Sequence, residues 1–407
     1  ALDDGAIVGI KGIGGTHLVC DATAPAAVDR LRERTGRPTK PFAVMASSLD
    51  TVRSFAAIDA TERTALADVR RPIVVLERSS DAAWLERVAP GRHTVGVMLP
   101  YAGIHHLLFD HVDGPLVMTS ANRPGEPMVT TADELWTRLG DVVDGALAHD
   151  REIVTRCDDS VVRVIDGERR FLRRSRGWTP TALPNPATPA DGTAPSILAL
   201  GPERDVTVAA ADGDRVVPSQ HVGDVDGPAG LAFLRESVDR LPTLTGIDPD
   251  VVACDLHPDF ATTEQAKAYA NDGLEGPIRV QHHHAHAAAL CAEHGLERAI
   301  VVTADGTGYG PDGTIWGGEV LDTTYADYER VGGLEPFALP GGEAAIRRPA
   351  RLLAGLLEDA DRVDERLLAT GAVETADEAA VVRRGADRGV NTPTTTSAGR
   401  YLDAVSA

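Results

Sequence analysis

Between Gly177 and Ser196 the chain reads GWTPTALPNPATPADGTAPS, rich in proline, threonine and alanine and without an apolar period of either 2 or 3.6. A stretch of this kind offers no strand or helix face to bury, so it divides the chain into two folded blocks. A length of 407 residues agrees, being too great for one typical core. The sequence therefore predicts a first domain over 1–178, a linker over 179–196 and a second domain over 197–407.

Both blocks read as glycine-rich α/β structure with mixed sheets rather than disordered chain, since 43% of residues are hydrophobic and 40 are glycine. The net charge of -21 repels a nucleic acid backbone on average and argues against a nucleic acid partner; it fits a solvated acidic coat, as in a salt-adapted protein. Lys11, Lys40 and Lys267 are the only lysines among the 40 basic residues. Cys20, Cys157, Cys254 and Cys291 form no CxxC pair, so neither a zinc knuckle nor a disulfide framework is indicated. Without a basic-then-apolar leader or an apolar run of about 18 residues, a cytoplasmic protein with no membrane partner is expected.

In the first block, AIVGI reads as a buried strand emptying into KGIGG, Lys11 to Gly15, a turn whose lysine suits a phosphate. It matches neither GxGxxG nor a Walker loop. Pro25–Thr35 reads as an amphipathic helix, followed by GRPTKPFAVM, where two prolines stiffen the segment carrying Arg37 and Lys40. PLVMTSANRPGEP delivers Thr119, Ser120, Ala121 and Asn122 from a buried strand into a turn, where hydroxyls and an amide can recognise phosphate, ribose or a base edge. His105 and His106, adjacent on a helix, point apart and read as packing or local hydrogen-bonding residues. RRFLRRSRG holds Arg169, Arg170, Arg173, Arg174 and Arg176, a cluster suited to phosphates of a small ligand, without interleaved aromatics to stack bases.

In the second block, hairpins over Ile197 to Asp224, a helix over Ala229 to Leu241 and a strand ending in DGTG suggest half of an actin or sugar kinase type nucleotide fold. VQHHHAHAAALCAEHG, Val280 to Gly295, places His282 and His286 four residues apart on one helix face, and Asp305 stands at the end of the strand AIVVTA. Two imidazoles and a carboxylate can close on a divalent ion, zinc or iron equally, although such histidine pairs also occur on ordinary helices. HExxH zinc peptidase chemistry is not expected, because His283 follows His282 and no glutamate lies inside the motif to act as base.

Taken together, AIVGIKGIGGTHLVCDA, GRPTKPFAVM, GVMLPYAGIHHLLF, PLVMTSANRPGEPMV, REIVTRCDDSVVRV and LRRSRG, then SQHVGDVD, CDLHPDF, VQHHHAHAAA, DGTGYGPDGTIWGGE and TSAGRYLDAV, resemble the HypF carbamoyltransferase family of nickel-iron hydrogenase maturation. The resemblance covers essentially the whole chain. It implies a YrdC-like twisted open sheet domain followed by an actin/sugar-kinase-like (RNase H-like) carbamoyl transfer domain that stops short of its remaining sheet. It further implies that a carbamoyl group from carbamoyl phosphate or carbamate is activated by ATP, with Mg2+, as carbamoyl adenylate, and then passed to the C-terminal cysteine thiol of HypE. Carried over by residue, Lys11, Arg37 and Lys40 would be catalytic, Ser120, Asn122, Arg151 and Arg173 would bind ATP and the adenylate, and His282, His286 and Asp305 would hold the metal.

Two positions depart from the family pattern. Thr35 stands where a lysine is common, which leaves a phosphate contact missing or supplied by Arg34, and Asp205 replaces a lysine in the first transfer-domain loop. The acylphosphatase domain and paired CxxC fingers of the family do not occur in these 407 residues. Rival readings are a threonylcarbamoyl-adenylate protein of tRNA modification, an O-carbamoyltransferase, whose domain order is the reverse, and a non-catalytic scaffold.

Overall fold

Nine short segments of the first 173 residues, most of them apolar, become strands of one mixed sheet in the computed structural model, which describes residues 1–188 and 193–407. They are β1 (Val8–Lys11), β2 (Thr16–Asp21), β3 (Ala43–Met45), β4 (Ile73–Glu77), β5 (Thr94–Met98), β6 (Leu116–Ser120), β7 (Gly145–Leu147), β8 (Val161–Ile165) and β9 (Glu168–Arg173), in the order β7-β1-β2-β6-β3-β5-β4-β8-β9. The register pairs β1 with β7, β3 with β5 and β4 with β8 in parallel, the other neighbours being antiparallel. Central strands are covered on both faces. On β2, Leu18 and Cys20 enter one apolar cluster while Val19 enters another with Ile10, Met45, Met98 and Met118. That two-sided burial explains why these strands read as continuous apolar runs rather than alternating ones.

The helix α1 (Pro25–Thr35) has the bounds its sequence predicts: Pro25 sets the first turn, and Gly36, at φ 63°, takes the left-handed conformation that ends it. Ala27, Val28 and Leu31 form its buried face. Leu31 is fully buried, so Leu31→Ala would cost about 2–5 kcal/mol. Its Arg32 is also buried. The guanidinium donates to the carbonyl oxygens of Arg87 at 2.8 Å, Val88 at 2.9 Å, Arg37 at 2.8 Å and Lys40 at 2.9 Å, and lies over the Phe42 ring. One arginine thus moors the proline-stiffened segment that carries Arg37 and Lys40.

The described chain forms two compact units, one of Ala1–Leu183 with Ser196–Pro249 and the other of Asp250–Ala407 with the described residues of Pro184–Pro195. The proposed linker spans 179–196; its residues 189–192 lie outside the described residues. Past it, an antiparallel ladder of Ile197–Ala199, Ala209–Asp212 and Arg215–Pro218 and the helix Pro228–Thr245 group with the first unit. In the second unit, Val251–Asp255 pairs in parallel with Glu275–Val280 through the intervening helix Ala261–Asn271. The histidine helix His282–His294 follows, and then antiparallel strands Arg298–Val302, Glu319–Thr324 and Tyr328–Gly333. Among the described residues no helix is long and apolar enough to cross a membrane.

Candidate functional site

A cavity of about 500 Å³ opens beside the sheet of the first unit, and Arg37, Lys40, Ser120 and Arg173 all line it. A smaller cavity of about 200 Å³ shares Lys40, Ser120 and Arg173 and adds Asn122. Arg37 is buried and already aimed: it donates to Thr119 Oγ1 at 2.8 Å and to Asn122 Oδ1 at 2.8 Å, and Ser120 Oγ meets the same Asn122 oxygen at 2.7 Å. Burial pushes the Arg37 guanidinium below its ordinary pKa, with Asp158 opposing. Lys40 is pushed down as well, by desolvation and then by Arg37 and Arg173, with Asp158 and Asp205 pulling the other way. A site that crowds cations at such a cost is suited to receive a polyanion.

Lys11 and Arg151 are placed differently. The Lys11 ammonium donates to the main-chain carbonyls of Arg151 at 2.7 Å and His149 at 3.1 Å, and neither residue lines either cavity. Arg151 contributes its carbonyl there while its side chain is exposed. The glycines of KGIGG serve close packing: a Cβ on Gly14 would lie 2.3 Å from the Cys157 carbonyl oxygen, and one on Gly15 2.2 Å from Met128 Cε.

The arginine run is divided among local partners. Arg173 faces the larger cavity, 3.5 Å from Asp158, while Arg169 meets Asp68, Arg170 meets Glu168 and Arg174 donates to the Thr181 carbonyl. Arg176 is absorbed into the wall, donating to Asp159 at 2.9 Å and to the carbonyls of Arg70 and Arg71, with Tyr101 stacked at 3.7 Å. Asp159 also accepts from His17 Nε2 at 2.8 Å, and both line the larger cavity. Burial works against the Asp159 charge, but His17 and Arg176 outweigh it and hold the carboxyl well below the usual carboxylate range. Sequence reasoning singles out Thr119 with Ser120 and Asn122 but none of His17, Asp158 and Asp159, for which the paired carboxylates of CDDS are the available signal. Thr35 turns its hydroxyl to the Leu31 carbonyl at 2.6 Å, and Arg34 is held by Val142 and Asp144, so neither faces the cavity. Asp205 does line the smaller cavity, beside His221 and Asp224.

In the second unit the strand end and the histidine helix bring His282, His286 and Asp305 together, one ligand atom from each lying within 4.8 Å of the others. His282 Nε2 lies 3.2 Å from Asp305 Oδ2, and its Nδ1 lies 2.8 Å from Asp255 Oδ2. Burial disfavours charge on His282, but hydrogen bonds to Asp255 and Asp305 outweigh it and push its pKa up to about 9. Asp305 is held well below the carboxylate range by His282 and His283 against the opposing effect of burial. His286 is pushed down by burial and by His282. A divalent ion fits this donor set, two imidazole nitrogens and one carboxylate with the far nitrogen of His282 already satisfied, and would displace the His282 proton.

These two sites stand in a chain with extensive relatives. Residues 1–175 match the Sua5/YciO/YrdC family, described as telomere recombination; residues 192–293 match the HypF Kae1-like domain, and residues 301–407 match the second subdomain of the carbamoyltransferase Kae1-like domain. Carbamoyltransferase HypF2 of Cupriavidus necator is 43% identical over 99% of this chain and 51% of its own length. The probable carbamoyltransferase HypF of Methanocaldococcus jannaschii is 40% identical over 100% of this chain and 53% of its own. Among solved structures, that of T.kodakarensis HypF superposes with a TM-score of 0.90 at 39% identity, covering 99% of this chain and 54% of that one. Full-length HypF in its phosphate- and nucleotide-bound form gives 0.88 at 38%, covering 99% and 62%. The chain thus spans about half the length of the curated relatives it matches. Its architecture is α/β, a YrdC-like open sheet domain followed by a Kae1-like domain of the actin/sugar-kinase superfamily. On this sequence and structural likeness the chain belongs to the HypF carbamoyltransferase family.

Proposed function

We propose that this chain activates a carbamoyl group with ATP and passes it to the C-terminal cysteine thiol of HypE. What supports the reading is the pairing, in one chain, of a cation-lined cavity and a His/His/Asp cluster. In the first unit a carbamate oxygen attacks the α-phosphorus of ATP, the bond to the β-phosphate oxygen breaks, and pyrophosphate leaves. Arg37, Lys40 and Arg173 stabilise the charge gathering on the phosphate oxygens, with Ser120 and Asn122 as polar donors beside them. ATP enters with Mg2+. The second step forms a carbon–sulfur bond between the carbamoyl carbon and the thiolate and releases AMP, so no cysteine of this chain is required. His282, His286 and Asp305 would hold a divalent ion, zinc or iron, which when bound would polarise a carbonyl or steady a phosphate.

The test is exchange of radiolabelled pyrophosphate into ATP by this chain. Exchange that depends on carbamoyl phosphate or carbamate is the expected result, followed by label from a carbamoyl donor on HypE. Exchange that answers instead to threonine and bicarbonate, or label delivered to tRNA, would overturn the assignment.

A further inference from the structure

The motif QHHHAH has more histidines than a His/His/Asp site uses, and its spare ones are buried: His283 is fully enclosed and His284 nearly so. An imidazole buried beside a ligating carboxylate must present a definite tautomer, and the hydrogen bonds fix which one. The His284 main-chain N–H donates to Gln281 Oε1 at 2.8 Å, which settles the orientation of that amide. Gln281 Nε2 then donates toward His283 Nδ1 at 3.3 Å and the Tyr309 carbonyl at 3.3 Å. His283 Nδ1 is therefore the acceptor, and Nε2–H donates to Asp305 Oδ2 at 3.2 Å. Gly308 leaves room for this ring, since a Cβ there would lie 2.4 Å from His283 Cε1. Asp305 Oδ1 is held in turn by the Gly306 N–H at 2.6 Å, so both carboxylate oxygens have fixed directions.

The same logic runs through His282. Asp255 is buried at the end of its strand, and its Oδ1 accepts the His257 N–H at 2.8 Å, leaving Oδ2 to accept from His282 Nδ1 at 2.8 Å. The carboxylate can only accept, so Nδ1 keeps its proton and Nε2, turned to Asp305, is the nitrogen that gives up its proton to ligate.

We propose that Asp255 and His283 are positioning residues of the metal site, Asp255 presenting His282 Nε2 as the ligand atom and His283 aiming the Asp305 carboxylate. The inference rests on the reading of His282, His286 and Asp305 as metal ligands. Neither residue touches the ion itself; each acts by holding a ligand in the direction that coordination needs, as carboxylate partners of metal-bound histidines do.

The experiment measures zinc and cobalt affinity of the metal-free chain by competition with a chromogenic chelator, for the unaltered protein and for Asp255→Asn, Asp255→Glu, His283→Phe and His284→Gln. Removing the positioning contact in Asp255→Asn or His283→Phe is expected to weaken affinity ~10- to 100-fold. Asp255→Glu should recover part of the loss, and His284→Gln, which removes a ring bonded to the Thr324 carbonyl, should leave affinity unchanged. Thermal unfolding of each metal-free variant separates lost folding from lost orientation, and the visible spectrum of bound cobalt reports coordination geometry, which a merely structural role would not alter. Equal affinity and an identical cobalt spectrum in folded Asp255→Asn or His283→Phe would overturn the proposal alone. Failure of the unaltered chain to take up either ion would remove the metal reading, and this inference with it.

Discussion

His17 Nε2 and Asp159 Oδ2 stand 2.8 Å apart in the wall of the larger cavity, with less than a tenth of either side chain exposed. Because Arg176 meets the same carboxylate, loss of the charge leaves a cation buried without its partner. Asp159→Asn is expected to cost about 3–5 kcal/mol, the usual penalty for breaking a buried pair from one side, read by urea unfolding. The pH dependence has a definite sign. The folded pKa lies below the unfolded one, so the contribution is complete above about pH 4 and is lost as the pH falls through the folded value. Asp159→Asn should flatten this acid limb of stability; an unchanged limb would count against the pair.

Arg37 and Arg151 should behave oppositely. Arg37→Ala removes a cavity-facing guanidinium whose direction Thr119 and Asn122 fix, and pyrophosphate exchange should fall by ~10²–10³. Arg37→Lys should restore little of it, because an ammonium lacks the planar fork that reaches both partners. Arg151→Ala keeps the carbonyl that holds Lys11, so exchange should stay within about twofold of the unaltered rate. Equal losses at the two positions would mean that Arg151 reaches the nucleotide.

His105 tests the packing interpretation. Both its ring nitrogens are buried without a hydrogen-bond partner, and its ring meets Tyr101 edge-on at 4.4 Å. Burial, then the neighbouring His17, pushes its pKa down to about 3, so the ring stays neutral over the working range. Exchanging an unsatisfied polar ring for an apolar one is expected to be close to neutral, and His105→Phe should shift unfolding free energy by less than about 1.5 kcal/mol either way. A loss of several kcal/mol would reveal a polar role for this ring.

Zinc should raise the unfolding temperature, and the gain should follow its concentration. At a free ion concentration one hundredfold above Kd, linkage gives about 2.7 kcal/mol, removable with a chelator. His286→Ala takes away one donor without disturbing a buried contact, since His286 is exposed, and should abolish the shift while leaving metal-free unfolding nearly unchanged. A full zinc-dependent shift in that variant would place the ion elsewhere.

Local grammar made some of this legible. Pro25 and Gly36 mark both ends of α1, and the spacing of His282 and His286 on one helix needs no knowledge of the fold. Positions that depend on distant segments were not legible. His17 and Asp159 are 142 residues apart and meet through the sheet, and Asp255 precedes His282 by 27. The arginine run from Arg169 to Arg176 reads as one anion site because sequence does not show that Asp68, Asp158 and Asp159 fold against three of its members. The grouping of Ser196–Pro249 with the first unit likewise depends on packing that the break in composition at 177–196 does not reveal.

The Lys11 ammonium, lodged between the carbonyls of His149 and Arg151, changes what genetics can say about this chain. A dead Lys11→Ala protein would report a loosened peptide junction as readily as a lost phosphate contact, and activity alone would not distinguish the two. Only a comparison of nucleotide affinity with hydrogen exchange at residues 149–151 can separate a broken brace from a missing charge.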